Sequence, residues 1–248
     1  MTGLRILHAQ NEVTDPAGLF IEEFERRGHT VDTVHPYAGE QLPETLEGYA
    51  GMIAGGGTVD THQTEEYPWL AHEMELIREA VKDDKPYLGL CLGAQLLTAA
   101  TGGRVVRSEP PEVGWVDIGL KPAAEDDPLF GDLPRRFEVM EWHYYRCNPP
   151  ADAVELASND VCVQALRVGR HAWGTQFHIE VTRPVLMTWL EAAPDELAKY
   201  GYPRETFIRS MDERLEGHME IGRQLAARLA DVAEAVSATA GDVSSGAR

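Results

Sequence analysis

Residues Tyr87-Leu88-Gly89-Leu90 form a short apolar run that meets Cys91 and then Leu92 to Ala100, a helix-forming segment closed by Gly102-Gly103. A strand that becomes a helix within one residue needs a sharp, strained turn, and the glycines at 89 and 93 leave room around it. That unit belongs to an α/β sheet, and the N-terminal half repeats its rhythm. Leu4 to Ala9, Val31 to Val34 and Gly51 to Ala54 read as strands, and Pro16 to Arg27 and Trp69 to Val81 as helices. In the first helix Leu19, Phe20 and Phe24 share one face and Glu22, Glu23 and Arg26 the other. The alternation predicts an α/β fold with a mainly parallel central sheet flanked by helices.

Beyond residue 103 the texture changes. Val105-Val106, Val113 to Leu120, Phe137 to Met140, Val154 to Ala157, Val161 to Leu166 and His171 to Phe177 read as strands with little helix between them. They predict an antiparallel extension of the same sheet, within one domain over residues 1–193. Phe207, Met211, Leu215, Met219, Leu225, Leu229, Val232 and Val236 then recur at helical spacing. A helical extension over 194–236, packed on the same domain, is expected, followed by a disordered polar tail at 237–248.

Charge narrows the function. The chain carries 41 acidic against 22 basic residues, a formal charge of −19, which repels nucleic acid and anionic membrane surfaces. No apolar run approaches the roughly 18 residues that cross a bilayer, and the start MTGLRILHAQ lacks a signal-peptide core. The three cysteines, Cys91, Cys147 and Cys162, are too few and too uneven for a disulfide framework. A cytoplasmic protein is expected, with no membrane and no nucleic acid among its partners.

Cys91 at the strand-to-helix turn reads as a nucleophile, because the positive end of the following helix favours the reactive thiolate. A base is available in Gln176-Phe177-His178-Ile179-Glu180. In extended chain, residues two apart share a side, so Glu180 can orient His178. Cys91 would attack, His178 would act as general base and then acid, and Glu180 would hold the imidazole. The oxyanion needs two backbone donors. Leu92 supplies one, and the loop Gly55-Gly56-Gly57 after a buried strand supplies the other, assigned to Gly56. That loop lacks the G-x-G-x-x-G spacing of a dinucleotide site. Cys162 alternates like a strand cysteine and Cys147 follows a loop with no base beside it, so both are expected to be structural. His62 and His72 have no neighbours at ligand spacing, and no metal or cofactor is expected. Glu125-Asp126-Asp127 reads as a solvated acidic turn.

With those residues in place, the chain resembles stand-alone class I (triad-type) glutamine amidotransferases and, among them, the glutaminase domain of GMP synthase. The likeness runs over about residues 4–190, in Ile53 to Gly57, Glu65 to Trp69, Leu88 to Leu97, Glu112 to Trp115, Glu141-Trp142-His143 and Gly174 to Thr182. It implies Cys91, His178 and Glu180 as the triad, Gly56 and Leu92 as the oxyanion hole, and Gln95, with Gly55, His143 and Tyr144, as substrate contacts. Glycine replaces the family's proline at Gly57, and isoleucine replaces it at Ile179. Tyr144-Tyr145 stands where relatives carry Gly-Asp, so specificity is expected to differ there. The implied reaction is hydrolysis of glutamine's γ-amide. Since the chain has no ATP-binding P-loop, ammonia would pass to a partner synthetase or transferase. The alternative is a self-sufficient hydrolase of larger γ-glutamyl compounds. The full triad argues against a non-catalytic regulatory subunit.

Overall fold

Each apolar run of the N-terminal half becomes a strand in the computed structural model, which describes residues 3–245. The strands are β1 (Arg5–Ala9), β2 (Thr30–Val34), β3 (Gly51–Ala54), β4 (Tyr87–Leu90), β5 (Arg104–Leu120), β6 (Arg136–Asn148), β7 (Val154–Ser158), β8 (Val163–Val168) and β9 (Ala172–Thr175). They form one sheet in the order β2-β1-β3-β4-β9-β8-β7-β5-β6. The run from β2 to β9 is parallel and the rest is antiparallel. The sheet is therefore mixed, with the parallel half built by crossover helices and the antiparallel half by direct returns.

The helices are α1 (Gly18–Arg26), α2 (Pro68–Lys82), α3 (Leu92–Ala100), α4 (Arg183–Ala192), α5 (Pro194–Lys199) and α6 (Arg204–Ser245). On one face of the sheet Phe20 and Phe24 of α1 bury against Leu225, Leu229 and Ala233 of α6 and against Ile6, Ile53 and Leu88. On the other, Leu76 and Ile77 of α2 and Leu96 and Leu97 of α3 bury against Leu7, Met52 and Tyr87. A third apolar cluster joins Trp115 and Met140 to Leu186 and Trp189 of α4 and to Phe207, Met211 and Leu215 of α6.

Two expectations shift. Val105-Val106 and Val113 to Leu120 belong to one strand, β5, interrupted by a register shift between Arg107 and Glu112. Pro110 and Pro111 lie in that interval and cannot donate to the ladder. Phe137 to Met140 is only the first part of β6, which pairs with β5 as far as Asn148. Trp142-His143-Tyr144-Tyr145 is thus strand, and Cys147 lies buried within it instead of after a loop. The polar residues that obscure this strand are buried ones, Glu141 and His143.

At the C-terminus α6 runs to Ser245, through most of the stretch 237–248 expected to be a disordered tail; residues 246–248 lie outside the described residues. No proline interrupts Ser237-Ala238-Thr239-Ala240, and alanine sustains a helix already nucleated by packing.

Candidate active site

Parallel strands in an α/β sheet deliver their following loops to one edge, and crevices open there. Here the loops after β1, β3, β4 and β9 meet. They bring together Asp15, Gly55-Gly56-Gly57, Cys91 and His178-Ile179-Glu180.

Cys91 has φ 49° and ψ −99°, a left-handed conformation for a residue with a side chain. Such strain costs about 1–3 kcal/mol and survives only where packing enforces it. The enforcement is visible in the two glycines. A Cβ on Gly89 would lie 2.3 Å from the Gly93 carbonyl carbon, and one on Gly93 would lie 2.3 Å from Ala54 O. Tyr87 Oη donates to Gly93 O at 2.8 Å and Cys91 N–H to Thr175 O at 2.8 Å, pinning both sides of the turn. Leu92 N–H opens α3 and has no carbonyl within the helix to bond.

His178 Nδ1 and Glu180 Oε1 are 2.8 Å apart, and both side chains are buried. Burial alone would lower the imidazole's pKa. The Cys91 sulfur and then the Glu180 carboxylate outweigh it and hold His178 well above its ordinary value. Because Glu180 occupies Nδ1, Nε2 is the nitrogen left for the sulfur. Trp189 stacks edge-on against the ring at 4.8 Å, and His178 O accepts from His218 Nε2 at 2.9 Å. A Cβ on Gly222 of α6 would lie 2.5 Å from Ile179 O, so the long helix packs directly on the turn that carries His178 and Glu180.

The glycine loop closes on the same point. A Cβ on Gly56 would lie 2.8 Å from His178 Cε1 and 2.8 Å from Asp15 Oδ2, so glycine is what this contact permits. Gly55 faces away: its N–H donates to Ala9 O and its carbonyl accepts from Asn11 Nδ2. Asn11 Nδ2 also donates to Glu73 Oε1 at 3.1 Å.

A cavity of about 410 Å³ opens over Cys91 and His178, lined also by Asp60, Gln95, Arg107, Trp142, Tyr144, Tyr145 and Trp189. Gln95 Nε2 donates to Tyr145 O at 3.0 Å. Tyr144 Oη donates to Glu196 of α5 at 2.6 Å, and burial followed by that carboxylate pushes its hydroxyl up to about 12. The His143 imidazole turns the other way, between Tyr145 O, Glu112 and Glu141. Gly55, His143 and Tyr144, grouped together as expected substrate contacts, therefore separate: His143 and Tyr144 line the cavity, the His143 ring turned toward Glu112, and Gly55 does not line it.

Cys147 stands behind Cys91, its sulfur 3.6 Å from Gln176 Oε1, while Gln176 Nε2 donates to Cys91 Sγ at 3.8 Å. Burial raises the Cys147 thiol to about 12, so it stays protonated. The sequence reading missed Asp15, which accepts from Trp189 Nε1 at 2.9 Å and is raised to about 6 by burial, against the pull of His178. It also missed Arg107 and Asp60. The polar run Asn11-Glu12 to Asp15 directly after a buried strand was the available signal for Asp15.

The family model for glutamine amidotransferase class-I matches residues 18–187. A glutamine amidotransferase-like protein of Salmonella typhimurium, YfeJ, is 30% identical over 214 residues, 85% of this chain and 89% of the relative. A glutamine-hydrolyzing GMP synthase of Aeropyrum pernix is 32% identical over 61% of this chain, but the match spans only 29% of that protein's length. A solved glutamine amidotransferase of Thermotoga maritima superposes with a TM-score of 0.83 at 27% identity, covering 92% of this chain and 99% of its own. One from Methylobacillus flagellatus gives 0.82 at 25%, covering 93% and 95%. Among the described residues no helix is long and apolar enough to cross a membrane.

Proposed function

Because the chain belongs to the class-I glutamine amidotransferase family, we propose that it hydrolyses the γ-amide of glutamine at Cys91 and passes the ammonia to a separate synthetase or transferase. The Cys91 sulfur adds to the amide carbon, and the oxygen gathers negative charge toward Leu92 N–H and Gly56 N–H. His178 gives a proton to the departing nitrogen, the C–N bond breaks, and ammonia leaves a γ-glutamyl thioester. His178 then takes a proton from water, whose oxygen attacks the thioester. Glutamate departs and the sulfur is restored. Glu180 holds the imidazole throughout. The carrying observation is the strained Cys91 beside a buried His178–Glu180 pair 2.8 Å apart.

A larger γ-glutamyl amide or peptide is the second substrate class. It is favoured by a cavity of about 410 Å³ walled by Trp142, Tyr144, Tyr145 and Trp189, more aromatic surface than an amino-acid amide requires. The test compares glutamate release from glutamine, γ-glutamyl amides and γ-glutamyl peptides in wild type and in Tyr144→Gly. Weak turnover of free glutamine by the isolated chain is expected, improved by a bulkier amide or by a partner. High activity on glutamine that Tyr144→Gly leaves unchanged removes the aromatic wall from specificity. No turnover of any of these, with no labelling of Cys91 by an electrophilic glutamine analogue, overturns the hydrolase.

A further inference from the structure

Behind the strand that carries Trp142, four side chains converge in a way the triad does not use. Glu112 on β5 and His143 on β6 are register partners, and so are Gly114 and Glu141. Residues two apart share a strand face, so Glu141 and His143 point to the same side. Cys162, in the bend just before β8, reaches in from the far side. His143 Nε2 lies 3.2 Å from Glu112 Oε2 and 3.4 Å from Glu141 Oε2; Cys162 Sγ lies 3.4 Å from Glu112 Oε2. The Glu112, His143 and Cys162 ligand atoms all fall within 4.8 Å of one another.

We propose that Glu112, His143 and Cys162 bind one zinc ion in tetrahedral coordination, with Glu141, whose Oε2 lies 3.4 Å from His143 Nε2, moving in as the fourth donor. Ligand atoms at zinc distances of 2.0–2.3 Å on a tetrahedron sit about 3.3–3.8 Å apart. Of the six edges, the three given above fall in or beside that range, and the edge from His143 Nε2 to Cys162 Sγ, within 4.8 Å, closes with a movement of about 1 Å or less. The two from Glu141 to Glu112 and Cys162 close only as Glu141 swings toward the ion. The donor mix of imidazole, thiolate and carboxylates suits zinc better than magnesium or calcium, which prefer all-oxygen shells.

The tautomer agrees. His143 Nδ1 lies 2.9 Å from Tyr145 O, and a carbonyl only accepts. Nδ1 therefore carries the proton, and in a neutral ring the Nε2 lone pair faces two carboxylates. That is the orientation in which ligating histidines are held. Glu141 supplies an independent sign. It is fully buried, and neither of its oxygens has a hydrogen-bond partner. A buried carboxyl group without a partner is costly, and its Oε2 lies 3.4 Å from His143 Nε2. Asn159 Nδ2 donates to Glu112 Oε1 at 2.5 Å and Gln164 Nε2 to Oε2, the oxygen facing the ion, at 2.8 Å, so the carboxylate is held in place on both oxygens.

A second cavity, lined by Asn159, Val161, Cys162 and Cys147, gives the ion a route from solvent to the half-buried thiol. On binding, the ion takes the place of the Cys162 thiol proton and of the proton that burial keeps on Glu141, and both pass to solvent. Four protein donors leave no open position, which makes the ion structural. It would brace β6, whose Trp142 and Tyr145 carbonyls meet Cys91 and Gln95.

The test uses the full chain with Cys91→Ala, which removes the competing Cys91–His178 pair. Titration with Co²⁺ should show one ion per chain, the intense visible bands of a tetrahedral site and a thiolate-to-metal charge-transfer band, with Zn²⁺ displacing it. Adding Cys162→Ser should abolish the charge-transfer band and weaken binding by at least about 100-fold, the upper end for loss of an outer partner. Adding Cys147→Ser instead should change neither. Absence of stoichiometric binding, octahedral spectra, or a charge-transfer band that survives Cys162→Ser overturns the site. Circular dichroism of the Cys162→Ser protein beside its parent separates lost ligation from lost folding. Hydrolytic activity at Cys91 stands or falls separately.

Discussion

Glu73 in α2 offers a clean measurement of what a buried carboxyl does to this fold. It has no exposed surface, accepts one hydrogen bond from Asn11 at 3.1 Å through Oε1, and has no partner for Oε2. Burial, opposed only by the Asn11 bond, raises its carboxyl from 4.5 to about 8. The unfolded chain therefore releases this proton near 4.5 and the folded chain near 8, so between those values the folded state binds more protons. Stability is fully present below about 4.5 and falls as pH rises through about 8. A shift of roughly 3.5 pH units at about 1.4 kcal/mol each gives about 5 kcal/mol lost across that window. Glu73→Gln keeps the shape and the acceptor for Asn11 but cannot ionise. In urea unfolding followed by tryptophan fluorescence, the variant and wild type should be nearly equal at about pH 4.5. The variant should lead by up to about 5 kcal/mol at about pH 9. A difference that stays constant across the range would refute the buried neutral acid.

The remaining predictions concern chemistry. An electrophilic glutamine analogue should label wild type at Cys91 alone, and Cys91→Ala should release no ammonia while keeping its fold; labelling at Cys147 would displace the assignment. Glu180→Gln should retain about 100-fold more activity than His178→Ala, since an orienter costs less than a base. Assays of glutamate release check the ranking, and an unaffected Glu180→Gln would remove it from the triad. Gly56→Ala places a methyl 2.8 Å from His178 Cε1 and Asp15 Oδ2. It should lower kcat at least tenfold with the melting temperature little changed, and full activity would detach this loop from the site.

The parallel half of the fold was legible because its signals are local. Gly51 to Ala54, Tyr87 to Leu90 and Leu92 to Ala100 are read to the residue, each bounded by glycine or a change of period. Cys91 was legible for the same reason, since its strain is written in Gly89 and Gly93. β6 was only partly legible because a strand that buries Glu141 and His143 does not alternate apolar and polar. Their burial depends on Glu112 and Cys162, which arrive from distant strands, and no spacing along the chain records that meeting. Asp15 and Glu73 stayed hidden for a related reason: an acid in sequence looks solvated until the packing around it is known.

Gly222 and His218 sit on the carbonyls of Ile179 and His178, and that contact sets an order in time. As the chain is synthesised, the nucleophile and its elbow emerge first, and the histidine turn follows. The surface that props this turn comes later, on α6. A nascent chain thus carries every reacting atom before it carries the support that holds them in register. Under the proposed function, competence to react would arrive with the docking of the last helix.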